Sequence, residues 1–383
     1  MEKREYKKSG ESVSLLGFGC MRLPLADESN GVIDGPLAKK MVDRAISMGV
    51  DYFDTAYPYH EGKSEAFIGE ALKGYPRESF KLADKLPTWL VENSRDVPRL
   101  FEEQLERCQV GYFDYYLVHS LNAERVKIVE ANDVYGQLKE FQAQGRIKRL
   151  GFSFHDRPEV LAEIVQKHEW DFAQIQFNYV DWEQQDAKSE YLTLKNAGVP
   201  IVVMEPVRGG GLADLRGEAA GILRNADPDA SQASWAIRYA ASFPETLTVL
   251  SGMSDMAQLD DNLRTMSDFR PISPYEYEVI LDAVAAYKLA SVIPCTSCRY
   301  CMDCPSGADI PKVIAIYNNY RRSNEGASRR KMLFELEYGI LGEQKQAGRC
   351  VNCGACVSHC PQGIDIPHWM SVIDDLSKEL GAA

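Results

Sequence analysis

Short apolar runs rich in Val, Ile, Phe and Tyr alternate with amphipathic stretches from about residue 13 to residue 267. The runs are Leu15–Gly19, Val50–Asp54, Phe80–Ala83, Tyr115–His119, Arg149–Ser153, Phe172–Gln176, Pro200–Met204 and Thr246–Leu250. Stretches between them, such as Leu37–Met48, repeat their apolar residues at helical spacing. Strict strand–helix alternation predicts a parallel sheet, and eight units predict a closed (β/α)₈ TIM barrel. An open doubly wound sheet is the alternative, but no GxGxxG follows the first strand.

Ahead of that strand, Tyr6–Ser14 carries a turn-like Ser9-Gly10 and predicts a hairpin plugging the barrel bottom. After the eighth helix, Pro271–Leu289 predicts a helix that covers the barrel and leads into a cysteine-rich end. The expected organisation is therefore a barrel over residues 1–270, a connecting helix over 271–290 and a small α-rich, cysteine-rich domain over 291–383. Within that last domain Cys304-Pro-Ser-Gly-Ala-Asp-Ile-Pro311 is echoed by Cys360-Pro-Gln-Gly-Ile-Asp-Ile-Pro367. Such a duplication suits a module with pseudo-two-fold symmetry.

A chain of 383 residues accommodates one barrel of roughly 250 residues plus a smaller domain. A net charge of −13 argues against a nucleic-acid partner, which calls for a basic face. The opening MEKREYKKSG is charged and lacks the apolar stretch of a signal peptide. No apolar run approaches the roughly 20 residues of a membrane span. These features predict a cytoplasmic protein with no membrane partner.

Cysteine changes the picture most. Ten are present, and eight fall between Cys295 and Cys360; Cys20 and Cys108 stand apart and are expected to be buried thiols. The first run is Cys295-x₂-Cys298-x₂-Cys301-x₂-Cys304-Pro, and the second is Cys350-x₂-Cys353-x₂-Cys356-x₃-Cys360-Pro. The second has the bacterial ferredoxin spacing, in which three close thiolates hold one [4Fe–4S] cubane and the fourth ligates the other. On that pattern Cys295, Cys298, Cys301 and Cys360 share one cluster, and Cys350, Cys353, Cys356 and Cys304 the other. The last spacing of the first run is two residues, not three. Disulfides do not suit a chain without a secretion signal, and structural zinc leaves the third and fourth cysteine of each run unexplained.

Enzymes on an eight-fold barrel carry their chemistry at the C-terminal ends of the strands. Those ends here present Asp54, Lys85 and His119, with Tyr59 following in Asp54-Thr-Ala-Tyr-Pro-Tyr59. Taken singly, an Asp-Thr pair caps helices and a lone histidine satisfies core polarity. Four titratable groups on one rim ask for a joint explanation.

On these residues the chain resembles the aldo-keto reductases, in the branch with a ferredoxin-like tail. The resemblance rests on Gly17-Phe-Gly-Cys-Met-Arg-Leu-Pro24, Asp54–Tyr59, Lys85, Leu117-Val-His119, Gly151-Phe-Ser153, Met204-Glu-Pro-Val-Arg-Gly-Gly210 and Asp261-Asn262. It implies a tetrad of Tyr59, Lys85, Asp54 and His119 that reduces a small carbonyl, or oxidises an alcohol, with NAD or NADP. In this reading Lys85 favours the phenolate of Tyr59, whose usual pKa is about 10, and Asp54 orients the ammonium. His119 orients the substrate. The resemblance further gives Ser153 and Gln174 to the carboxamide, although Phe154 stands where the family usually has Asn. It gives Arg208, Gly209, Gly210, Gly252, Ser254 and Asn262 to the cofactor phosphates. Met204 occupies a position where many members stack an aromatic ring.

A hydride carries two electrons, whereas a cubane passes one. Three readings follow: a nicotinamide-dependent carbonyl reductase whose clusters serve a redox partner protein, a ferredoxin-linked oxidoreductase working directly or through flavin, and a non-catalytic redox sensor or electron carrier.

Overall fold

The structure is a computed structural model that describes every residue except 7–9, 28–30, 290–292, 303, 324 and 383. Eight parallel strands close into a barrel: Leu16–Gly19, Tyr52–Asp54, Lys81–Leu86, Phe113–Leu121, Ile147–Phe154, Phe172–Gln176, Ile201–Met204 and Thr246–Gly252. The last strand pairs with the first, Gly252 standing opposite Gly19. The expected barrel is therefore present, with each strand within a few residues of its expected run.

Residues Lys3–Tyr6 and Glu11–Ser14 pair as the expected antiparallel hairpin. The Ser9-Gly10 turn itself lies partly outside the described residues. Tyr6 and Val13 are buried with Tyr52, Tyr115, Phe172 and Leu247, near the N-terminal ends of the strands. The Tyr6 hydroxyl donates to the carbonyl of Asp171, just before the sixth strand, and Arg4 donates to the carbonyls of Ala241, Phe243 and Thr246. The hairpin therefore seals the end of the barrel opposite the tetrad. Inside, the first strand comes close to its neighbour: a Cβ on Gly17 would lie 2.7 Å from Leu250 Cδ2.

The chain forms two compact units, one of residues 1–206 and 234–272 and one of residues 207–233 and 273–383. The first is the barrel. The second joins the cysteine-rich end to the helices Gly217–Ala226 and Pro274–Leu289, which pack on each other. Its core gathers Ile310, Val313, Ile314, Tyr317, Phe334, Tyr338, Ile366, Met370 and Ile373.

The internal repeat has a simple physical content. Each copy is a Cys-Pro turn closed through glycine, followed by a capped helix. Gly307 N–H donates to the Cys304 carbonyl and Gly363 N–H to that of Cys360, both glycines having positive φ. Asp309 and Asp365 then accept from the backbone of Lys312 and His368, and Pro311 and Pro367 start the helices Ile310–Arg322 and Ile366–Leu380. Aspartate at the cap and proline in the first turn suit a helix start, where four N–H groups lack helical acceptors. Among the described residues no helix is long and apolar enough to cross a membrane.

Candidate functional site

The strand register brings the tetrad together. Asp54 closes the second strand opposite Ala83, and Lys85 lies two residues on from Ala83, on the same face of the third. Lys85 is fully buried, and its Nζ donates to Asp54 Oδ1 at 2.6 Å and to the Thr55 carbonyl at 2.7 Å. The same ammonium lies 5.0 Å from the centre of the Tyr59 ring. The ring of His119, from the fourth strand, meets that of Tyr59 edge-on at 6.5 Å between centroids. All four expected residues thus share one buried neighbourhood.

Burial, followed by the negative charge of Asp54, pushes the Tyr59 phenol well above its usual pKa. The direction is set by the removal of the phenol from water, which disfavours its anion. Tyr59 is consequently a protonated acid at neutral pH. Burial and the nearby Lys85 charge hold His119 well below its ordinary value, so the imidazole is neutral.

The residues assigned to a cofactor divide between the units. In the barrel, Ser153 Oγ accepts the Ser120 N–H at 2.7 Å, and Gln174 Nε2 faces Met204 Sδ at 3.5 Å. Gln174 Oε1 is buried with no hydrogen-bond partner among the described residues, which leaves an acceptor free for an amide donor. Asn262 Nδ2 donates to Ser251 Oγ at 3.0 Å, and Ser254 Oγ donates to the Arg22 carbonyl. Gly252 lies under the Arg22 stem, where a Cβ would sit 3.1 Å from Arg22 Cβ and Cγ. Arg208, Gly209 and Gly210 lie in the second unit, in three consecutive positive-φ conformations.

The cysteines sort into the two expected sets. The electrostatic neighbours of the Cys301 thiol are Cys298, Cys295 and Cys360; burial and these thiols push its pKa up to about 12. Cys304, Cys350, Cys353 and Cys356 line one cavity together with Ile310, Ile366 and Met370. Cys304 therefore joins the second set despite its shorter spacing. Burial opposes ionisation of Cys304, but hydrogen bonds from Ser306 and from the backbone of Ser306, Ala308 and Gly307 outweigh it and lower the thiol. Among the described residues no three such side chains converge on a site for one bare ion. A cubane asks for something else, since each thiolate holds a different iron, and two four-cysteine neighbourhoods fit that demand.

The two runs also share a backbone shape. Ser297 and Arg299 in the first, and Asn352 and Gly354 in the second, have positive φ at the same offsets from Cys295 and Cys350. Cys20 and Cys108 are buried in the barrel unit, as expected.

Residues 15–285 match the aldo/keto reductase family, and residues 294–364 match the 4Fe-4S dicluster domain. The chain belongs to the aldo/keto reductase family. It is an oxidoreductase of that family with an iron–sulfur domain at its C-terminal end. A probable aldo-keto reductase 1 of Glycine max is 30% identical over 211 residues, covering 52% of this chain and 57% of that one. The chain thus spans little more than half the length of that relative. An uncharacterized oxidoreductase, YqkF, of Bacillus subtilis is 25% identical over 295 residues, 69% of this chain and 90% of that one. A solved aldo-keto reductase of Bacillus halodurans, in its holo form, aligns with a TM-score of 0.60 at 25% identity, covering 74% of this chain and 96% of the other.

In this aldo/keto reductase two side chains not expected from the sequence surround the histidine. The Trp89 ring lies 5.1 Å from that of His119, and the Arg125 guanidinium lies 5.2 Å from the Trp89 ring. Arg125 Nη1 also donates to the carbonyl of Ser120, which follows His119 with φ of 56°. A tryptophan just beyond the third strand was the available signal; the arginine on a helix gave none.

Proposed function

We propose that the barrel interconverts a small carbonyl compound and its alcohol with a nicotinamide cofactor, and that two [4Fe–4S] clusters exchange single electrons with a redox partner protein. The observation that carries the barrel chemistry is the buried Asp54–Lys85 pair beneath the ring of a protonated Tyr59, with a neutral His119 alongside. A bound nicotinamide supplies or accepts the hydride. Gln174 Oε1 and Ser153 would hold its carboxamide, the first because a buried acceptor without a donor is costly. The strand-eight turn, Gly252 and Ser254, leads into the helix Met256–Ser267, whose N-terminus favours a phosphate, and Asn262 lies on that helix.

The tetrad handles the proton. His119, as neutral imidazole, donates a hydrogen bond to the carbonyl oxygen and sets its direction. Tyr59 gives its phenolic proton to that oxygen as negative charge develops there. The resulting phenolate faces the Lys85 ammonium, which Asp54 keeps charged and oriented; in alcohol oxidation the same groups run in reverse. Burial raises the cost of the anion, so the ammonium stabilises it most when the proton has left.

The thiolates of Cys295, Cys298, Cys301 and Cys360 would hold one cluster and those of Cys304, Cys350, Cys353 and Cys356 the other. Because hydride is a two-electron donor, exchange between barrel and clusters calls for a one-electron-capable group such as a flavin.

The deciding experiment uses anaerobically purified protein, with iron, sulfide, flavin and nicotinamide measured together. Aldehyde-dependent oxidation of NADH or NADPH is then followed for wild type and Tyr59→Phe. The variant should lose turnover by about 10²–10⁴-fold with cofactor affinity little changed. Equal turnover in both proteins rejects the tetrad chemistry. Turnover with a reduced ferredoxin-type donor but with neither nicotinamide supports the ferredoxin-linked reading instead.

A further inference from the structure

The turn Val207–Gly211, which follows the seventh strand, lies against the loop that carries the first cluster's ligands. A Cβ on Gly209 would fall 1.9 Å from the Thr296 carbonyl oxygen and 2.5 Å from its carbon. Thr296 is buried and sits between Cys295 and Cys298. Real Cβ contacts do not come so close, and the obstacle is backbone on both sides. Only glycine fits.

The same ligand loop is gripped from the other side. Asn318 Oδ1 accepts the Ile293 N–H at 2.9 Å and Asn318 Nδ2 donates to the Ile293 carbonyl at 2.8 Å. Asn318 is buried, so both amide groups of its side chain are committed to one backbone residue, two positions before Cys295. Four residues further along the helix Ile310–Arg322, Arg322 Nη2 donates to the Tyr287 hydroxyl at 2.7 Å. Arg208 Nη1 donates to that same hydroxyl at 2.9 Å.

These contacts close a ring. It runs from the helix through Asn318 to Ile293, along the chain to Thr296, across to Gly209, and back through Arg208, Tyr287 and Arg322. The second cysteine run is held differently: Cys353 is exposed, and Val351, which follows Cys350, is 67% exposed.

We infer that Gly209 and Asn318 are positioning residues for the first cluster, fixing the Cys295–Cys298 loop so that its thiolates meet the irons in one geometry. The inference rests on the two-cluster reading. It gives the strand-seven turn, which family resemblance assigns to cofactor phosphates, a second task as the rest on which the first cluster's loop sits. Hydrogen bonding and placement around the thiolates set a cluster's potential, so displacing this loop changes the potential of one cluster and leaves the other.

The test compares Gly209→Ala with Gly210→Ala in the full, anaerobically prepared chain. Both glycines have positive φ, 64° and 95°, so both substitutions strain the backbone, but an added Cβ at 210 meets nothing within 4 Å. Iron content, reduced-state EPR and a redox titration are read on each, with Cys298→Ala as the reference for a lost first cluster. Wild type should carry about eight irons and two reducible centres. Gly209→Ala should lose up to half of that iron, or shift the potential of the one centre that Cys298→Ala removes. Asn318→Ala should move the same centre, and Gly210→Ala neither. Unchanged potentials and full iron in Gly209→Ala and Asn318→Ala overturn the inference, as do equal shifts in the two glycine variants. A wild type with only one reducible centre defeats the two-cluster reading itself and is recognised before any variant is made.

Discussion

The tetrad and the cysteine sites are built in opposite ways. Asp54, Lys85 and His119 stand on strands, and their ion pair and neutral imidazole exist in the bare protein because the barrel surrounds them. The cysteine runs lie in loops, with positive-φ residues between the ligands, backed by the two repeat helices and their neighbours and, for the first run, by the turn at Gly209. A strand-built site is organised by the scaffold before anything binds. A loop-built site leaves part of its organisation to what it binds, because metal–thiolate bonds supply the contacts that a small core lacks.

The largest test of that contrast is iron removal. Oxidation and anaerobic chelation should abolish the cooperative melting of the second unit and expose Tyr338 and Trp369 to solvent, while the barrel retains its own transition. Calorimetry with tryptophan fluorescence reads this. Identical melting curves with and without iron would show that the cysteine unit is as preorganised as the barrel.

The next test breaks the barrel's internal pairing. Lys85→Met leaves the Asp54 carboxylate buried and uncompensated, and should cost about 3–5 kcal/mol of barrel stability in denaturant unfolding. Replacing Asp54 by Leu in the same chain should restore most of that loss. If the single variant is as stable as wild type, the pair is not the buried ion pair that its 2.6 Å contact implies.

The finest test reads a slope and concerns protons. Burial and Lys85 lower His119, and burial and Arg125 lower His155 to about 4, whereas an unfolded histidine protonates near pH 6.5. The unfolded chain therefore binds more protons between pH 6.5 and about 4. The barrel should lose stability as pH falls through that window, by up to about 1.4 kcal/mol per pH unit for each imidazole. Removing one imidazole, as in His119→Gln, should flatten the slope by up to one proton. A slope unchanged by the substitution would place His119 in water rather than in the tetrad.

The chain order of apolar runs determined the barrel, because strands buried between helices leave a period and a length that no other arrangement of this chain repeats eight times. Cysteine spacing foretold which thiols become neighbours, including Cys360 beside Cys301 and Cys304 beside Cys350, Cys353 and Cys356. The tetrad was legible as residue types at strand ends. Its electrostatics were not, because the direction of Tyr59's shift depends on how completely water is excluded, and that is a property of the closed barrel. Trp89 and Arg125 come to His119 from separate segments, so no linear spacing announces them. Gly209 reads in the sequence as one glycine of a Gly-Gly-Gly run. That it is the one pressed against Thr296, 87 residues away in the chain, was decided only when the second unit folded around it, because close approach of two backbones is a fact of tertiary contact and leaves no local pattern.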